Sequence, residues 1–162
     1  MLKKVCVYKY FMELGMTVQT EARKVSETTL IMVDDNVDEI FLTRRKLRKE
    51  GIVNRFVSER KPERIFEALD ELIELGIEKR TFLILMDVNM PKINGFEALQ
   101  KIRAHPDYGQ VPVLMFSASD DPSDIFESFD VGSDGYIVKP FTSEEFFAAI
   151  KNLPKVKTQL MS

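Results

Sequence analysis

Cysteine and histidine are nearly missing from this chain: Cys6 and His105 are the only examples in 162 residues. A single thiol cannot close an intrachain disulfide, which suits a reducing, cytoplasmic setting. His105 lies in a loop beside Pro106, with no catalytic or metal-ligating partner near it in sequence, and no role is assigned to it. No apolar run approaches the ~20 residues of a membrane span. The basic start (Lys3, Lys4, Lys9) leads into an apolar stretch around Phe11 that Glu13 interrupts, and no small-residue cleavage site follows. A secretory signal is therefore not expected. A basic excess is lacking too: the formal net charge is −3, which argues against a dedicated nucleic-acid surface. Internal repeats and low-complexity tracts are absent.

Hydrophobic residues make up 44% of the chain and charged residues 30%, a soluble globular composition long enough for one full domain and a little more. Residues 1–26 stand apart. Tyr8, Tyr10, Phe11 and Leu14 are apolar, but no cap precedes them, and a polar, charged run from Gln19 to Glu27 follows. This segment is expected to be an N-terminal extension, a poorly ordered tail or an extra helix. The domain proper is expected over 27–154, with a solvated tail over 155–162.

Within the domain, short apolar runs alternate with helical periodicity. Thr28–Val33, Val53–Val57, Phe82–Asp87, Val111–Phe116 and Tyr136–Val138 read as strands, the second less apolar and nearer an edge. Between them, Val37, Ile40, Phe41 and Leu47 recur at helical spacing, as do Ile65, Ala68, Leu69 and Leu72, and then Phe96, Leu99 and Ile102. Asp121 before Pro122 is an N-cap with proline at the first helical position. Thr142 and Glu145 form a capping box for the last helix, which Pro154 ends. Taken singly, the phenylalanines of the last two helices (Phe126, Phe129, Phe146, Phe147) suit a core. Together they exceed what one amphipathic face requires, and an exposed apolar patch there would suit a homodimer or another protein partner. Five strands alternating with five helices predict an α/β fold, a parallel sheet covered on both faces.

The strand ends carry the chemistry. The third run stops at a carboxylate, Asp87, before the turn residues Pro91 and Gly95. In an open α/β sheet, sites form outside the carboxyl ends of the strands. Asp34 and Asp35 end the first strand, Ser117 the fourth, and Lys139-Pro140 the fifth. Three carboxylates repel one another unless a cation joins them, and hard oxygen ligands suit Mg²⁺. Lys139 can pair with the carboxylates and then with a phosphoryl group as a point charge. The Ser117 hydroxyl and the Ala118 N–H can donate to the same oxygens. A carboxylate can serve as a nucleophile and form an aspartyl phosphate, and phosphoryl transfer needs positioning and charge neutralisation above all. These groups describe a phosphoryl-accepting site with Asp87 as the attacking residue.

Five features in this order resemble the receiver domain of two-component response regulators, similar to the bacterial chemotaxis regulator. They are Asp34-Asp35, Asp87 with Met90-Pro91 and Gly95, Ser117, Tyr136, and Lys139-Pro140. Asp35-Asn36 with Asp38-Glu39, and the His105-Pro106-Asp107 loop, also look like stand-alone receivers that partner phytochrome-type sensor kinases. The resemblance implies a doubly wound, flavodoxin-like five-stranded sheet of order 2-1-3-4-5. It implies that Asp87 accepts a phosphoryl group from a sensor histidine kinase or phosphotransfer protein. Asp35, Asp87 and the backbone carbonyl of Asn89 are then ligands of Mg²⁺, with Asp34 acting through water. Ser117, Ala118 and Lys139 bind the phosphoryl oxygens, Ser117 and Tyr136 act as the switch, and the Lys139-Pro140 bond is cis. Ser117 stands where threonine is frequent, which implies softer switching. Asn89 and Ser119 occupy positions that tune acyl-phosphate hydrolysis; both are short and neutral, which implies a short to moderate phosphoryl lifetime.

The module so implied catalyses only its own phosphorylation and dephosphorylation. No output domain is expected after residue 154, so output is expected through contact with a downstream protein. Two rivals share some of the chemistry. A haloacid-dehalogenase-type phosphatase needs an acid two residues after its nucleophile, where this chain has Asn89. A degenerate scaffold receiver usually lacks one of the pocket groups, and here the set is complete. A dinucleotide-binding domain is disfavoured, because no Gly-x-Gly-x-x-Gly follows the first strand.

Overall fold

The computed structural model describes residues 28–151 and Leu153. The expectations for 1–26 and 155–162 lie outside the described residues. Five strands form one parallel sheet: β1 (Thr29–Val33), β2 (Arg55–Glu59), β3 (Phe82–Asp87), β4 (Val113–Ser117) and β5 (Gly135–Val138), in the order β2-β1-β3-β4-β5. The helices are α1 (Val37–Lys49), α2 (Ile65–Glu74), α3 (Gly95–Ala104), α4 (Pro122–Asp130) and α5 (Ser143–Lys151). The doubly wound order expected above is thus the one observed.

The alternation of side chains along each strand feeds two cores. Ile31, Val33, Ile84 and Met86 face α2 and α3, where they meet Leu69 and Leu99. Leu30, Met32, Leu83 and Leu85 face α1 and α5, where they meet Leu47 and Phe146. Every residue of β3 is buried, because β3 is central and covered on both faces. Truncating Leu85 to alanine there is expected to cost about 2–5 kcal/mol.

The caps fall where the sequence puts them. Asp121 accepts from Ser123 N at 2.8 Å. Thr142 and Glu145 cap each other reciprocally, at 2.6 and 3.2 Å. Some expectations shift, among them the start of β4, which is Val113 rather than Val111. β2 starts at Arg55 rather than Val53, because Thr29 pairs with Arg55 in the parallel register and leaves Val53 76% exposed. Pro62 opens a 3₁₀ turn, Pro62–Arg64, ahead of α2. Phe41 shares the helical spacing of α1 but points to solvent, at 61% exposure, since Thr43 and Leu47 supply the buried face. The four phenylalanines also divide: Phe146 is fully buried, whereas Phe126 and Phe129 are 71% and 51% exposed.

Candidate functional site

The carboxyl ends of β1, β3 and β5 bring the charged groups together. Asp34 follows β1 and is buried. Its backbone N–H is fixed by the Glu59 carbonyl at 3.1 Å, and its Oδ1 accepts from Asn36 N at 2.8 Å. Asn36 in turn caps α1 through Asp38 N and Glu39 N. The same short turn therefore starts the helix and aims the carboxylate. Asp87 is the last residue of β3 and is also buried. Lys139 reaches across from the end of β5, donating to Asp87 Oδ1 at 2.9 Å and to Asp34 Oδ2 at 3.1 Å. The peptide bond that follows it, Lys139-Pro140, is cis.

The loop after Asp87 is held by a close approach. Gly95 N donates to the Val88 carbonyl at 2.9 Å. A Cβ at Gly95 would stand 2.2 Å from the Asp87 carbonyl oxygen and 2.9 Å from Val88 Cα. Backbone on that side cannot retreat without moving Asp87, so the position admits only glycine.

Asp34, Asp35 and Asp87 each place a carboxylate oxygen within 4.8 Å of the others. The cleft between them, about 300 Å³, is lined also by Asn36, Glu39, Asn89, Ala118 and Lys139. Electrostatics follow from this crowding. Burial, and next the charge of Asp87, push the Asp34 carboxyl above the usual range despite the opposing Asn36 N–H and Lys139. Burial works against the Lys139 charge, but Asp87 and Asp34 outweigh it, and the ammonium is held more firmly than usual. One lysine facing three carboxylates leaves excess negative charge among oxygen donors. That is the donor set a hard divalent cation such as Mg²⁺ fits.

Ser117 is not at the cleft surface. It is fully buried at the end of β4, and its Oγ accepts from Ser119 N at 3.0 Å. The Ser119 carbonyl accepts from the Tyr136 hydroxyl, also at 3.0 Å. Burial raises the Tyr136 pKa, so this hydroxyl stays a donor. Ser119 thus links the two expected switch residues, a connection sequence order alone does not reveal. Glu39 is a second omission. It lies 3.8 Å from Lys139 Nζ, placed there because α1 begins at the cleft, and its helical position beside the Asn36 cap was the available signal. His105 caps the end of α3 and stacks on Phe66, with ring centroids 4.6 Å apart, far in sequence from any of these groups.

Comparison with known proteins agrees with this fold. The model of the response regulator receiver domain matches residues 30–151. The transcriptional regulatory protein ResD of Bacillus subtilis is 32% identical over 136 residues, covering 84% of this chain and 52% of that protein. The DNA-binding dual master transcriptional regulator RpaA of Synechocystis is 35% identical over 79 residues, 49% of this chain and 33% of the regulator. The chain therefore spans about a third to a half of the length of these curated relatives. Among solved structures, the bacteriophytochrome response regulator RtBRR superposes with a TM-score of 0.63 at 30% identity, covering 78% of each chain. The chemotaxis protein CheY4 of Vibrio cholerae gives 0.59 at 27% identity, over 80% of this chain and 98% of that one. With that match spanning all five strands, and an acidic cleft with its lysine at their carboxyl ends, the chain belongs to the response regulator receiver domain family.

Proposed function

We propose that Asp87 accepts a phosphoryl group from a phosphohistidine of a sensor kinase or phosphotransfer protein, and that the chain signals through phosphorylation-dependent protein contacts. Receiver domains serve two-component phosphorelay signalling, with aspartate phosphorylation and Mg²⁺ binding as general properties of the family. The observation that carries the assignment to Asp87 is its pairing with Lys139 at 2.9 Å, inside a cleft shared with Asp34 and Asp35. An Asp87 carboxylate oxygen attacks phosphorus, the N–P bond breaks, and the imidazole leaves with the bonding pair. Asp35, Asp87 and the Asn89 carbonyl are the groups that would hold Mg²⁺, with Asp34 behind a water, and the bound ion supplies positive charge against the phosphoryl oxygens.

Lys139 follows the charge. Paired with Asp87 before transfer, it can pair with a phosphoryl oxygen afterwards, because its ammonium is held firmly charged. Ala118 lines the cleft and its N–H is the second donor. In this reading Ser117 joins by swinging toward the cleft, which releases Ser119 N. That release loosens the Ser119 carbonyl from Tyr136, which passes the event toward β5 and α4. A phosphatase acting on external esters is not favoured, since Asn89 cannot protonate a leaving group, and no turnover beyond the chain's own phosphoryl group is proposed. The lone cysteine supports a cytoplasmic setting for this exchange.

Intact mass after incubation with a small acyl-phosphate donor tests the assignment. A Mg²⁺-dependent, hydroxylamine-labile phosphoryl adduct is expected on the natural chain and not on Asp87→Asn. An adduct of equal yield in the variant, or none in a folded natural chain under conditions that outpace hydrolysis, would overturn it.

A further inference from the structure

Two helices leave large apolar side chains in solvent. On α4, Phe126 and Phe129 are 71% and 51% exposed; on α1, Phe41 and Leu42 are 61% and 54% exposed. The α4 pair sits among acidic residues, and the α1 pair lies between Asp38-Glu39 and a basic run that opens at Arg44. Residues 119–134 carry six Asp and Glu and no Lys or Arg, whereas residues 44–64 carry nine Lys and Arg against three Glu. The basic end of α1 suits its own dipole, with Lys46, Arg48 and Lys49 in the last turn. On α4 only Asp124, in the first turn, has such a reason. The last turn of α4 holds no basic residue, and Glu127 and Asp130 lie where negative charge opposes the dipole.

The two patches cannot satisfy each other within one chain. α1 packs through Leu47 on the core shared with Leu30 and Met32 of β1, and its Arg44 lies over the Phe56 ring of β2. α4 adjoins β5, and Val131 at its end packs on the opposite core. β2 and β5 are the two edges of the sheet, four spacings of ~4.8 Å or roughly 19 Å apart. Nor can α4 pair with its own copy across a two-fold axis, since that sets acid against acid; the basic half of α1, Arg45 to Lys49, carries the opposite charge. A head-to-tail contact of α4 with the basic half of α1 joins opposite charges around apolar centres.

We propose that α4 of one copy docks on α1 of a second copy, with Phe126 and Phe129 meeting Phe41 and Leu42 inside a rim of opposite charges. The inference stands independently of the phosphoacceptor assignment. Such a contact is heterologous, so each joined copy keeps one patch free and association continues past the dimer. Its charged rim makes it sensitive to salt.

Sedimentation velocity of the full chain at about 50 mM and about 500 mM NaCl tests this. Two variants alter exposed side chains: Glu127→Lys/Asp130→Lys on α4 and Arg45→Glu/Arg48→Glu on α1, with circular dichroism to confirm that both fold. The natural chain is expected to grow past the dimer with concentration at low salt, with association weakened roughly tenfold or more at high salt. Each variant alone should weaken it by a similar factor. An equimolar mixture of the two reversed variants should recover association past the dimer, because the natural α4 meets the natural α1 and the reversed α4 again meets opposite charge on the reversed α1. A natural chain monomeric at low salt up to about 0.5 mM would overturn the proposal. So would association that survives the α1 reversal, whether α4 then meets residues 1–27 or another surface, and so would a mixture that stays monomeric.

Discussion

Each end of the sheet holds one cation between loop and strand, and the two are built on different principles. At the amino ends of β4 and β5, Arg103 donates to the carbonyls of Gly132, Gly109 and Val111 at 2.7, 3.1 and 2.8 Å, and to Asp134 Oδ2 at 2.8 Å. Asp134 Oδ2 also accepts from Val113 N at 2.8 Å. One charge meets one charge, and the planar fork spends its donors on fixed acceptors. At the carboxyl ends, Lys139 faces Asp34, Asp87 and, at 3.8 Å, Glu39, with Asp35 beside them. There a compact ammonium is outnumbered. The balanced end locks loops together; the unbalanced end keeps an excess of negative charge that a divalent cation would offset.

The largest effect should come from the unbalanced end through its scaffold rather than its charge. Gly95→Ala forces a Cβ to 2.2 Å from the Asp87 carbonyl oxygen, a backbone clash expected to cost about 4 kcal/mol or more. Denaturant unfolding should show it, together with loss of the phosphoryl adduct. A variant of natural stability would mean that the loop after β3 is far more pliant than its hydrogen bond to Val88 suggests.

At the balanced end, Arg103→Ala strands three carbonyls and a carboxylate, and is expected to cost about 2–3 kcal/mol without changing Mg²⁺ affinity. Arg103→Lys should recover less than half of that loss, since one ammonium cannot span acceptors on three segments. Equal stability of the lysine variant would erase the proposed distinction between fork and point charge.

How much of this contrast the sequence carries depends on which end is asked. Asp34, Asp87 and Lys139 end apolar runs, and strand ends in an open parallel sheet converge, so the acidic cleft is legible from pattern alone. The boundaries of β3 and both polar caps are legible for the same local reason. Arg103 is invisible, because its acceptors are backbone carbonyls whose positions exist only after the chain folds. Ser117 is named by sequence, but its burial and its bond to Ser119 follow from the tight path between β4 and α4. Phe41 shows the opposite failure: helical spacing assigns it to an apolar face, while burial depends on which neighbour arrives to cover it. For Phe126 the surplus of phenylalanines is the legible signal that some stay exposed.

Removing one carboxylate from the crowded end separates metal binding from stability. On the proposed ligand set, Asp35→Ala is expected to lower Mg²⁺ affinity at least tenfold. The metal-free protein should change by no more than about 0.5 kcal/mol, because Asp35 is less buried than its neighbours. Thermal melts with and without Mg²⁺ report both. At a concentration ten times the dissociation constant, the natural chain gains about 1.4 kcal/mol, and the variant should gain much less. An equal gain would remove Asp35 from the ligand set.

The subtlest test uses pH. Asp34 holds its proton longer in the folded chain than in the unfolded one, because burial raises its pKa above the ordinary 3.8. Its contribution to stability is therefore complete below about 3.8 and is lost as pH rises through the folded value. Lys139, also raised, contributes fully below 10.5 and loses its part only above that, so it stays constant across the acid range. Asp34→Asn cannot titrate at this position. The melting temperature of the variant minus that of the natural chain, measured without metal from pH 4 upward, should accordingly move in the variant's favour as pH rises. Saturating Mg²⁺ should reduce that trend, since positive charge in the cleft offsets the cost of ionising Asp34. A difference independent of pH would mean that Lys139 already balances the carboxylates, and the two ends of the sheet would then be alike.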